Sequence, residues 1–132
     1  MDIEASTKNN ERVIDFVNER LEALECPVKL MTKFDIAVDE LFTNIAYYAY
    51  GGAAGPCSVS VSGRPGEWAS VEFRDFGIPY DPFAAEDPDV TLPIEKRREG
   101  GLGVFIVKNL MDETAYARIG AENVTTITKR FV

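Results

Sequence analysis

Glu40 and Asn44 stand four positions apart in the segment FDIAVDELFTNIAYYAY, so in a helix they share one face, one turn above the other. The carboxylate can accept a proton. The carboxamide oxygen is a hard ligand suited to magnesium, which takes a few protein oxygens and completes its shell with waters and phosphates. Ile36, Ala37, Leu41, Ile45 and Tyr48 can then point the opposite way, into a core. The same spacing also describes an ordinary solvated helix face, and taken alone it does not separate the two.

A second group lies in SVEFRDFGIPYDPF, where alternating residues deliver Asp75 to a turn containing Gly77 and Pro79. An aspartate at a strand end can accept hydrogen bonds from an exocyclic amine, and a glycine beside it lets a flat ring approach the backbone. Adenine presents such an edge. Asp, Gly and Pro are also the usual residues of a strand-ending turn, for conformational reasons that need no ligand. The third group is REGGLGVFIVKNLMDE, a glycine cluster leading into an apolar helix, with Arg97 and Arg98 just upstream. Free amides and the positive end of the helix dipole make such a junction suitable for phosphate oxygens. A glycine cluster can equally do no more than close a loop.

Composition narrows the chemistry further. There is no histidine in the 132 residues, which removes the usual base of Ser-His-Asp and Cys-His systems and a ligand of the common zinc motifs. Any proton acceptor is then expected to be a carboxylate. A net charge of -8 without a basic, aromatic-interleaved stripe argues against nucleic acid. Cys26 and Cys57 lack the density of a disulfide framework and are expected to be buried or inert. No apolar run approaches the length of a membrane span, and MDIEASTKNN does not read as a secretory signal, so a cytoplasmic location is expected.

These groups need elements to hold them. DIEAS reads as a short edge strand with Ile3 and Ala5 on one face. Val13, Val17, Leu21 and Leu24 recur at helical spacing from about Asn10. After Cys26-Pro27 a second helix is expected to about Tyr50, capped by Thr32 with Asp35 three residues on and ended at Gly51-Gly52. CSVSVSG and EWASVEFRD alternate as strands around a GRPGE hairpin turn. From about Pro82 to Gly100 a long loop is expected, then a helix from about Leu102 to Met111 that is apolar on most faces, then a closing hairpin pair in AYARIG and VTTITKRFV. This order predicts one α+β domain over residues 1–132, a two-layer sandwich with helices on one face of a mixed, mostly antiparallel sheet.

With the three groups in this order, the chain resembles the GHKL superfamily of ATPases, and within it the anti-sigma regulatory factor branch of serine/threonine kinases. The likeness rests on AVDELFTN, DFGIPYDP and GGLGVFIVKNLMDE and runs over nearly the whole chain. It implies the histidine-kinase-like ATPase (Bergerat) fold, with ATP and magnesium as ligands. Glu40 matches the general base, Asn44 the magnesium ligand that also meets the nucleotide, and Asp75 the adenine reader with Gly77 beside it. Gly101, Leu102 and Gly103 match the phosphate loop, and Arg97 or Arg98 could reach the terminal phosphate. Near the C-terminus, Asn123, or alternatively Thr125, falls where the superfamily often carries a threonine close to adenine. Tyr48 departs from the pattern, since many relatives have histidine there.

The resemblance implies a kinase whose substrate is an anti-anti-sigma protein of the STAS fold, with a sigma factor as a further partner and a homodimer as the assembly. Lacking histidine and a dimerisation helix, the chain is not expected to be a complete sensor kinase. A second function fits the same residues: an ATP-binding module that controls a protein partner without phosphoryl transfer. A third is an interaction domain whose glycine turns are only turns.

Overall fold

Pro27 decides where the second helix begins. Its ring holds φ at -59° with ψ at 141°, so the residue is extended and the helix starts at Val28. In the computed structural model, which describes residues 1–84 and 101–132, the elements are β1 (Asp2–Glu4), a 3-10 turn (Thr7–Asn9), α1 (Asn10–Ala23), α2 (Val28–Tyr48), β2 (Pro56–Arg64), β3 (Trp68–Asp75), α3 (Gly101–Leu110), β4 (Glu113–Ile119) and β5 (Glu122–Arg130). The capping box expected at Thr32 and Asp35 does not form. Both residues lie inside α2, and the Thr32 hydroxyl donates to the Val28 carbonyl one turn back. Gly51 and Gly52 take positive φ just beyond the helix, as its end requires.

The sheet runs β1-β2-β3-β5-β4, and every pairing is antiparallel rather than mixed. Alternation along β2 and β3 sends Cys57, Val59, Ala69, Val71, Phe73 and Asp75 to the helical side, while Ser58, Ser60, Ser70 and Glu72 face outward. A single layer of helices covers the inner face, with α2 between α1 and α3. Val13, Val17 and Leu21 of α1 and Phe34, Val38, Leu41 and Phe42 of α2 are buried against those strands. Each such side chain stabilises the fold by roughly 1.5–3 kcal/mol. Two residues expected on the core face of α2 are not there: Ile36 is 43% and Tyr48 47% exposed. Helix α3 is likewise buried along one stripe, at Val104 and Val107, and its Leu102 and Ile106 stay partly open; among the described helices α2 is the one packed beside it. Beyond Ala84 the expected loop falls outside the described residues. Among the described residues, no helix is long and apolar enough to cross a membrane.

The α1–α2 seam carries an electrostatic cost. Asp35 has a buried Oδ1 without a hydrogen-bond partner, and burial raises its pKa above the ordinary carboxylate value, helped by Asp15 and opposed by a hydrogen bond from Asn18. A raised folded pKa favours the fold fully below the unfolded value, and that contribution is lost as pH rises through the folded value. Asp35→Asn should therefore raise the urea midpoint at pH 7, and the gain should vanish near pH 3. A lower midpoint at pH 7 would mean that the carboxylate is well compensated.

Candidate functional site

Asp75 ends β3 on its buried face, paired across the sheet with Cys57 on β2 and Asn123 on β5. At 3% exposure a carboxylate needs compensating donors. It has two, the Gly77 amide and the Asn123 Nδ2, each at 2.9 Å and both on Oδ1. The acceptor capacity of Oδ2 is left uncommitted by them. Asp75 lines a cavity together with Asn44, Ile45 and Tyr48 of α2 and Asn123 and Thr125 of β5.

The DFGIP turn that follows is tied down on both sides. A Cβ on Gly77 would come within 2.3 Å of the Ala49 carbonyl oxygen and 2.6 Å of its side chain, so only glycine fits. The close approach that this glycine permits is thus used by the chain itself, against the end of α2. The Ile78 amide donates to the same Ala49 carbonyl at 3.0 Å, and the Phe76 amide to the Tyr50 hydroxyl at 2.8 Å. From the other side, Asn123 Nδ2 also donates to the Ile78 carbonyl at 2.8 Å, and its Oδ1 accepts from the Tyr80 amide, the Tyr116 hydroxyl and Arg118 Nη1. Asn123 is therefore saturated by protein partners. It stands beside Asp75, and its hydrogen bonds hold the turn. Thr125, the alternative, lines the cavity one strand-repeat away and is also buried.

Glu40 and Asn44 do share one face of α2, both half-buried. Asn44 lines the cavity, whereas Glu40 stands against α3. An added Cβ on Gly103 would lie 2.2 Å from Glu40 Oε2, so the missing side chain leaves room for that carboxylate. Burial first, and then the charge of Asp39, push the Glu40 pKa up. Gly101 opens α3 and Leu102 is 37% exposed beside it, so the glycine-to-helix junction expected for GGLG is formed. Arg97 and Arg98 lie outside the described residues. No cluster of three or more carboxylate or thiol ligands occurs among the described residues, so a metal here would keep one amide oxygen and take the rest of its shell from water and ligand oxygens. An amide oxygen is a hard donor of the kind magnesium takes alongside water and ligand oxygens.

Residues to which the sequence assigns no contact in the site complete it. Tyr48 and Tyr80 face one another at the cavity with ring centroids 6.4 Å apart. Tyr50, Tyr116 and Arg118 anchor the turn, and no periodicity or spacing signals them. Both cysteines are buried, and burial raises Cys26 to about 11 and Cys57 to about 12. They stay protonated at neutral pH and are not nucleophiles there.

The family model described as the histidine kinase-like ATPase domain matches residues 3–129. Among solved structures, the chain is similar to the histidine kinase domain of a blue-light activated histidine kinase from Erythrobacter litoralis, with a TM-score of 0.56 and 24% identity. That likeness is one of fold. It covers 80% of this chain and 46% of the other, so the chain spans less than half of that structure's length. A search among curated proteins returned no match.

Proposed function

Because the chain belongs to the histidine kinase-like ATPase domain family, we propose that it binds ATP with magnesium, as one domain over residues 1–132, and works as an anti-sigma-type serine/threonine kinase on a STAS-domain partner. What supports nucleotide binding is the buried Asp75 carboxylate, whose Oδ1 is held by two protein donors and whose Oδ2 those donors leave for the exocyclic amine of a base. Thr125 and the rings of Tyr48 and Tyr80 line the same cavity. Asn44 would hold magnesium, which when bound would neutralise charge on the phosphates. The amides at the start of α3, from Gly101 to Gly103, take phosphate oxygens, and Arg97 or Arg98, outside the described residues, is proposed as the partner of the terminal phosphate.

Glu40 removes the proton of a serine or threonine hydroxyl as that oxygen attacks the γ-phosphorus. The bond from the γ-phosphorus to its bridging oxygen breaks, leaving ADP and a phosphorylated partner. Burial suits Glu40 to this, because a carboxylate with a raised pKa is a stronger base once ionised. Phosphorylation would then change which protein the chain holds, a sigma factor or its antagonist, with the chain acting as a homodimer in the cytoplasm.

A second function, nucleotide-controlled binding without transfer, draws on one observation. The Glu40 carboxylate stands against Gly103 and is not part of the cavity wall. Incubation with ATP labelled at the γ-phosphate and the STAS-domain protein encoded nearest to this chain separates the two. Label on a serine or threonine of that protein is expected. Its absence at saturating ATP, with nucleotide binding intact by calorimetry, would leave the binding module.

A further inference from the structure

We propose that Arg118, on edge strand β4, is a positioning residue for base recognition, acting through the DFGIP turn and Asn123. This rests on the nucleotide site proposed above. Arg118 Nη1 donates to the Gly77 carbonyl at 2.8 Å and to Asn123 Oδ1 at 3.2 Å, and its Nε donates to the Gly120 carbonyl at 3.2 Å. One guanidinium thus ties the base-reading turn, the side chain that holds Asp75, and the β4–β5 turn into a single unit. The link matters because Asn123 and Gly77 are the two donors to Asp75 Oδ1. Whatever fixes those donors fixes the rotation of the carboxylate, and so the direction of Oδ2.

The geometry of arginine is specific to this task. Its planar fork offers donors in fixed directions from two different nitrogens, whereas a lysine ammonium is a single compact head. Lysine at this position cannot serve Gly77, Asn123 and Gly120 together. Arg118 is also exposed, on the outermost strand, where most neighbours are exposed as well. Its removal therefore takes little from the core, which makes a positioning role separable from a structural one.

Arg118→Ala and Arg118→Lys test this in the full chain, using ATP and a purine ribonucleoside triphosphate that lacks the 6-amino group. By calorimetry, Arg118→Ala should weaken ATP by about tenfold and the amine-free nucleotide by no more than about twofold, with Arg118→Lys between wild type and alanine. The melting temperature should stay close to wild type. An equal loss for both nucleotides, or an unchanged ATP affinity, would overturn the positioning role. Amide hydrogen exchange without nucleotide tests the clamp separately. Exchange at Gly77 and Ile78 should quicken by about tenfold in Arg118→Ala while Val71 in the core is unmoved. Unchanged exchange at Gly77 would remove the clamp. If the wild-type chain bound neither nucleotide, the proposed function would fall, and the exchange result would still decide whether Arg118 holds the turn.

Discussion

Asp75→Asn is expected to bind ATP ten- to more than a hundredfold more weakly than the wild-type chain, from the loss of a charge-assisted hydrogen bond of about 1.5–3 kcal/mol. The substitution is nearly isosteric, and the orientation of the new amide is dictated by the protein. Gly77 N and Asn123 Nδ2 both require an acceptor at the position of Oδ1. The amide oxygen must therefore turn toward them, and the amide nitrogen takes the place of Oδ2. A donor then meets the exocyclic amine of adenine, which is itself a donor. Folding should survive, because both protein donors keep their partner. Calorimetry with ATP and magnesium reads the affinity, and a thermal melt confirms the fold. Unchanged affinity would remove Asp75 as the adenine reader.

Glu40→Gln should keep ATP binding within about threefold and lower phosphoryl transfer by about a hundredfold or more, the range for loss of a general base. Glutamine preserves the length of the side chain and its seat against Gly103, so α2 and α3 stay packed. It cannot take a proton at neutral pH. The sign of the pH dependence follows from burial. With its pKa raised, Glu40 becomes protonated at a higher pH than an ordinary carboxylate as the solution is acidified. Transfer by the wild-type chain should fall on that acid limb, and the limb should be missing from whatever activity Glu40→Gln retains. Equal transfer rates in the two proteins would take Glu40 out of the mechanism.

Much of the architecture is legible in the sequence because it follows from local rules. Val13, Val17 and Leu21 fall on one helical stripe, and Ala69, Val71 and Phe73 on one face of a strand, and both sets are buried. Gly51 and Gly52 mark the end of α2 by their positive φ. The start of α2 is misleading in the sequence because Thr32 and Asp35 satisfy a capping pattern, while the extended backbone of Pro27 already begins the helix one turn earlier. Spacing alone places Ile36 and Tyr48 in the core. It gives a stripe but not its width, and both residues lie outside the buried stripe of Phe34, Ala37, Val38, Leu41 and Phe42.

The candidate site divides in the same way. Asp75 and Gly77 stand out in the DFGIP segment of the sequence, and the antiparallel pairing of β3 with β5 brings Asp75 opposite Asn123. What holds them is not recoverable. Arg118 lies 41 residues from Gly77, and Tyr50 lies 26 from Phe76. Such contacts depend on which strands become neighbours and leave no periodic trace. Gly77 reads in the sequence as room for a ligand, yet a side chain there would collide with Ala49 before any ligand arrived.

The seat of Glu40 against Gly103 has a consequence for inherited variation. A methyl group at 103 would occupy the space of the carboxylate, while a glutamate at 40 leaves no room for that methyl. Alanine at 103 would push the flexible end of the Glu40 side chain out of this seat. Alanine at 103 becomes sterically acceptable once residue 40 is shortened or swung aside, so loss of the acid lifts this one steric constraint on the glycine. Descendants of this sequence should therefore keep glycine at 103 for as long as the acid must stay in this seat.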